Sequence, residues 1–89
     1  MLDNGSERRN RHKVEFLKKH KNFARTAFRE AIRLREKGED IRKSEPVTQL
    51  INMARIDLKY SPKTYSLDIF RGLLKTSHKL LEKGGNGNG

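Results

Sequence analysis

Five basic side chains, Arg11, Lys18, Arg25, Arg29 and Arg33, recur at spacings of seven and then four residues. At about 100° per residue, a helix gathers them into one narrow arc. Cations in such a row suit one kind of chemistry: each pairs with a phosphate of a polyanion and releases the counterions condensed there. Arg8, Arg9 and Lys13 carry the row towards the N-terminus, where a helix end can order on binding, and Asn22 falls in the same arc with an amide to donate. Only Glu15, Glu30 and Glu36 interrupt or flank it, whereas an ordinary solvated helix face mixes signs at i,i+4 spacing.

A second candidate surface is quieter. Thr48, Gln49, Asn52 and Arg55 share the outward side of a predicted helix, and their paired donors and acceptors match base edges in a major groove. Ile56 beside them suits a thymine methyl or a contact with another helix. The same residue types also suit any exposed helix. Further on, Leu58, Tyr60 and Ser61-Pro62-Lys63-Thr64 resemble the turn and recognition-helix start of a LuxR-type helix-turn-helix. That resemblance implies a capped helix presenting Lys63 and Thr64 to DNA. It stops at those residues, since Arg55 stands where that family tends to have alanine and Gly72 where an apolar residue is expected.

Other chemistry is poorly represented. His20 falls on an apolar face and reads as a core-edge imidazole bonded to a carbonyl or water, while His12 and His78 fall on polar faces, so no metal-ligand set is visible. His78 can pair with Glu82 at i,i+4, and the shorter basic row Arg71, Lys75 and Lys79 is balanced by Asp68 and Glu82. There is no nucleophile elbow, no phosphate-binding glycine loop opening a helix and no paired-carboxylate spacing. The expectation is a non-enzymatic protein without cofactor or metal.

The elements that would position these residues are helices. An apolar face of Phe16, Leu17, Phe23, Ala24, Ala27, Phe28, Ala31 and Leu34 lies opposite the basic row and keeps its phase throughout. One long first helix is predicted, opened by Ser6 before Glu7 and ended by Gly38; the Lys19-His20-Lys21-Asn22 run is where it would break, with Asn22 capping the second piece. Ser44-Glu45-Pro46 is a start signal for a second helix over about 46–58, with Val47, Leu50, Ile51, Ala54 and Leu58 on one face. Ser61-Pro62 repeats the device for a third helix carrying Tyr65, Ile69, Phe70, Leu73, Leu74, Leu80 and Leu81. That helix is apolar over more than half its circumference, so it should lie between the other two or form a homodimer. No alternating β-branched run suggests a strand. The reading is an all-α, small three-helix domain over residues 7–83, with a flexible segment 1–6 and a disordered Gly/Asn tail 84–89.

Composition agrees. The 89 residues carry 21 Lys and Arg against 11 Asp and Glu, a formal charge of +10, and residues 1–37 hold net +7 of it. Self-repulsion on that scale favours a polyanionic partner. No cysteine is present, which excludes a disulfide scaffold, and no apolar run approaches the roughly 18 residues of a membrane span. The expected protein is cytoplasmic, nucleoid-associated or nuclear. Its expected function is nucleic-acid binding, with duplex DNA ahead of RNA because single-strand readers usually display aromatics. A regulatory adaptor or inhibitor that docks its basic face on an acidic protein is the alternative. A basic amphipathic helix on an anionic membrane is the weakest reading, since the first helix has a core to cover its apolar face.

Overall fold

The computed structural model describes the backbone of residues 4–85 and the side chains of residues 11–80. These residues form α1 (Asn4–Lys19), α2 (Lys21–Glu36), a short 3-10 turn (Ile41–Lys43), α3 (Glu45–Asp57) and α4 (Ser66–Gly85), and no strand occurs among the described residues. The predicted first helix is α1 with α2, the second is α3 and the third is α4. The expected flexible start and Gly/Asn tail fall partly on residues 1–3 and 86–89, which lie outside the described residues. Ser6 is an interior residue of α1 and not its cap; between it and Asn4 only a glycine opposes upstream extension of the helix.

The long first helix breaks at His20, whose φ of −116° and ψ of 40° leave the helical region. Its N–H still donates to the Phe16 carbonyl at 3.0 Å and its own carbonyl accepts from the Ala24 N–H at 2.8 Å, so the flanking helices remain bonded across the bend. Asn22 does not cap the second piece: the capping position is His20 itself, without a side-chain hydrogen bond. The imidazole stacks at a tilt on Phe16, ring centroids 4.8 Å apart. Its buried Nε2 faces the Asp57 carboxylate at the end of α3 from 3.7 Å.

Helix α2 stops as predicted at Gly38, where φ is +74°. The Gly38 N–H donates to the Arg35 carbonyl and the Glu39 N–H to the Leu34 carbonyl, both at 2.9 Å. This is a Schellman closure with glycine in the left-handed position. Helix α3 ends the same way: the Lys59 N–H reaches the Ile56 carbonyl at 3.3 Å and the Tyr60 N–H the Arg55 carbonyl at 3.0 Å. Here a lysine at φ 56° occupies the left-handed position. The start of α3 also follows its signal, with the Ser44 hydroxyl accepting from the Val47 N–H at 3.4 Å and Pro46 in the first turn.

The start of α4 does not. Ser61-Pro62 forms a turn, in which the Lys63 N–H donates to the Ser61 hydroxyl at 3.1 Å and the Thr64 N–H to the Ser61 carbonyl at 2.9 Å. The helix begins only at Ser66. The serine satisfies local amides in the turn before a helix can claim them. Lys63 and Thr64 therefore sit in a loop, and the LuxR-type likeness fails, because it needs them in the first turn of a recognition helix.

Packing follows from side-chain size. Ala24, Ala27 and Ala31 give α2 a nearly smooth inner face, and small side chains let two helices approach closely. It packs on α3, which in turn packs on α4, while α1 closes on the other side of α4. The core is Phe16 and Leu17 of α1, the α2 alanines, Val47, Leu50, Ile51 and Ala54 of α3, and Ile69, Phe70 and Leu73 of α4. The apolar third helix thus does lie between its neighbours. At Gly72 it faces the Lys13 side chain, whose Nζ lies 3.3 Å from where a Cβ would stand. A Cβ there would meet only the flexible end of that lysine.

Candidate nucleic-acid interface and the groove beside it

The apolar phase of α2 turns Arg25, Arg29 and Arg33 outward, and the same phase in α1 exposes Arg11 and Lys18. The break at His20 does not scatter the row. Lys18 of α1 and Lys21, Arg25 and Arg29 of α2 line the edge of one continuous depression. Among the described residues no carboxylate lies within ion-pair distance of Lys18, Arg25 or Arg29. Among the described residues their charge is unneutralised.

Arg33 differs. Its guanidinium donates to Glu30 at 2.8 Å, and that hydrogen bond together with the Glu30 charge holds its pKa above the ordinary arginine value. Its field is therefore partly cancelled. Asn22 is exposed in the first turn of α2, where its carbonyl accepts from the Thr26 hydroxyl at 3.1 Å. The side chains of Arg8 and Arg9 lie outside the described residues.

The second predicted surface divides. Gln49 and Asn52 are exposed on α3, with Ile56 75% exposed beside them. Arg55 instead turns inward: one guanidinium nitrogen donates to the Ser61 carbonyl at 3.0 Å and the other to the Ser66 hydroxyl at 3.3 Å. It ties the end of α3 to the loop before α4, because a forked donor can bridge acceptors far apart in sequence. Lys63 is exposed in that loop.

Two basic residues, Lys21 and Arg35, were missed by sequence reasoning, and Arg71 was read only as part of a balanced row on the third helix. Lys21 stands four residues before Arg25, and its spacing alone would have flagged it. Arg35 and Arg71 border a second depression on the α2–α4 side, and only the packing of α2 near α4 brings them together. The 3-10 turn beyond it is held by Asp40, whose carboxylate accepts from the Arg42 N–H at 2.9 Å and from its guanidinium at 2.6 Å. These hydrogen bonds pull the Asp40 pKa down to about 2. The Arg42 guanidinium also lies over the Tyr65 ring, 5.7 Å from its centroid, joining this turn to the approach to α4.

Among the described residues no group of His, Cys, Asp or Glu side chains could hold a metal ion, and no helix is long and apolar enough to cross a membrane. No protein-family model, curated protein or solved structure matches this chain.

Proposed function

We propose that this protein is a small, non-enzymatic nucleic-acid-binding protein, an accessory or regulatory factor of the nucleoid or nucleus, whose α1–α2 face contacts phosphates. The observation that carries the reading is the row Lys18, Lys21, Arg25 and Arg29, exposed along one edge and without an acidic partner among the described residues. Residues four apart on a helix rise about 6 Å, so the row sets cations at regular intervals along one edge, as a line of phosphates requires. The row can therefore follow a backbone without contacting bases. Gln49 and Asn52 supply a separate polar helix face suited to base edges, and duplex DNA is the first choice. Arg55 is left out because its guanidinium is engaged within the fold.

The test is an anisotropy titration of labelled duplex DNA, single-stranded DNA and RNA at two salt concentrations, with circular dichroism to confirm folding. Changing Arg25 and Arg29 together to Glu should remove most affinity and reduce the log–log salt slope by about 2. Arg33→Glu alone should cost less than Arg29→Glu, since Glu30 already offsets Arg33. Absence of binding near physiological salt, or an unchanged slope in the double variant, would overturn the reading.

A further inference from the structure

The same basic row borders something a phosphate backbone does not need. Helices α2 and α4 meet through Phe28 and Phe70, ring centroids 5.4 Å apart and edge-on, with a depression on either side of that contact. On one side lies a depression of about 530 Å³ reaching Leu17 and Leu80, and on the other one of about 490 Å³ reaching Leu67 and Ile41. Phe28, Ile32 and Leu74 line both, so the two adjoin along α2. Together they flank α2 from Lys21 to Arg35, about 21 Å of helix at 1.5 Å per residue, or roughly four turns. Ile32 stands 54% exposed on their shared wall, off the main apolar face of its helix, where a partner that covered it would gain its burial.

The rim decides what fits. Lys18, Lys21, Arg25 and Arg29 border one half and Arg35 and Arg71 the other. Among the described residues Glu39 and Asp40 lie at the far end of that second half, each engaged with a cation, Asp40 with Arg42 and Glu39 with Lys43 at 3.5 Å. Asp68 stands 3.9 Å from Arg71 and offsets part of its charge, so the unopposed cations are those of the Lys18–Arg29 half. A second copy would set this basic rim against a chain of charge +10. A phosphate backbone would satisfy the rim but leave the apolar floor in water. An apolar stripe between carboxylates satisfies both, and an amphipathic helix in a groove presents that pattern through its i, i+3, i+4 and i+7 positions.

We propose that these adjoining α2–α4 depressions are a docking site for an acidic amphipathic helix of a partner protein, its apolar face on Phe28, Ile32 and Leu74 and its carboxylates on the Lys18–Arg29 edge. The site stands independently of the nucleic-acid reading but shares Arg25 and Arg29 with it. The two ligands therefore compete, and bound partner displaces nucleic acid.

The experiment is a display selection with the full chain as bait. The library is one of helical peptides about 20 residues long with a fixed leucine stripe and flanking positions randomised among Asp, Glu, Lys, Arg and Gln. Enrichment of Asp and Glu at the flanks is expected. The strongest binder, made synthetically, should shift the amide resonances of Phe28, Ile32 and Leu74. It should lose about tenfold or more in affinity for the Ile32→Gln variant and none for Ile56→Gln, an equally neutral change outside both depressions. Ile32→Gln should leave duplex DNA affinity unchanged, which separates this site from the proposed phosphate contacts. Failure of acidic flanks to enrich, or a binder indifferent to Ile32→Gln, overturns the proposal. Equal loss of DNA affinity in Ile32→Gln would assign the site to nucleic acid. A wild-type dimer in sedimentation equilibrium that dissociates in Ile32→Gln would assign it to a second copy.

Discussion

At the scale of single residues, two helix ends with the same closure carry different side chains in the left-handed position. Gly38 has φ +74° with nothing within 4 Å of where a Cβ would stand, so its role is conformational and not steric. Gly38→Ala should cost about 1 kcal/mol for that reason. Lys59 adopts φ 56° with a Cβ, and Lys59→Gly should raise stability by up to about 1 kcal/mol through the same preference. Urea denaturation of the two variants should give midpoint shifts of opposite sign. Asp40 offers a pH handle. Its pKa falls from 3.8 to about 2 through the Arg42 hydrogen bonds, so it binds fewer protons folded than unfolded. Its contribution is complete above the ordinary carboxylate range and is lost as pH falls through that interval. Asp40→Asn should flatten this part of an acid-unfolding curve followed by circular dichroism and converge with wild type at its acid end.

At the scale of elements, the joints matter more than the helices. Ser44 and Gly38 bound their helices as expected because capping is local: the hydroxyl or glycine acts on amides and carbonyls within one turn. Ser61-Pro62 carries the same letters as Ser44-Glu45-Pro46 in part, yet makes a turn. There Ser61 bonds the amides of its own turn, and Arg55 braces that turn by donating to the Ser61 carbonyl at 3.0 Å and the Pro62 carbonyl at 3.5 Å. Arg55→Ala should therefore cost about 1.5–3 kcal/mol, the range for hydrogen bonds to a charged group. Hydrogen exchange at residues 61–66 should accelerate more than in α2. Uniform acceleration across all helices would show instead that Arg55 merely supports global stability. The bend at His20 is likewise a joint, placed where one polar ring on the apolar face meets Phe16 on its own helix and Asp57 on another.

At the scale of the whole molecule, one cluster of buried apolar side chains must hold α1 to α4 together against a charge of +10. Leu50 has no exposed surface, and Leu50→Ala should cost about 2–5 kcal/mol by lost transfer energy and cavity. Small domains hold roughly 5–15 kcal/mol in total, so that single change should lower the thermal midpoint markedly or unfold the chain; a shift of only a few degrees would contradict the described core. The basic field and the helical class were legible in the sequence, because charge is a sum over residues and the phase of Phe16 to Leu34 requires no knowledge of neighbours. Ser44 and Gly38 were legible for the same reason, their effects ending within a turn. Tertiary structure alone decided that Arg55 points inward, that α4 starts at Ser66, and that α2 and α4 leave two adjoining depressions lined by Phe28, Ile32 and Leu74. Periodicity says which face of a helix is buried, whereas the partner, the approach and the gaps left between helices depend on how distant faces fit.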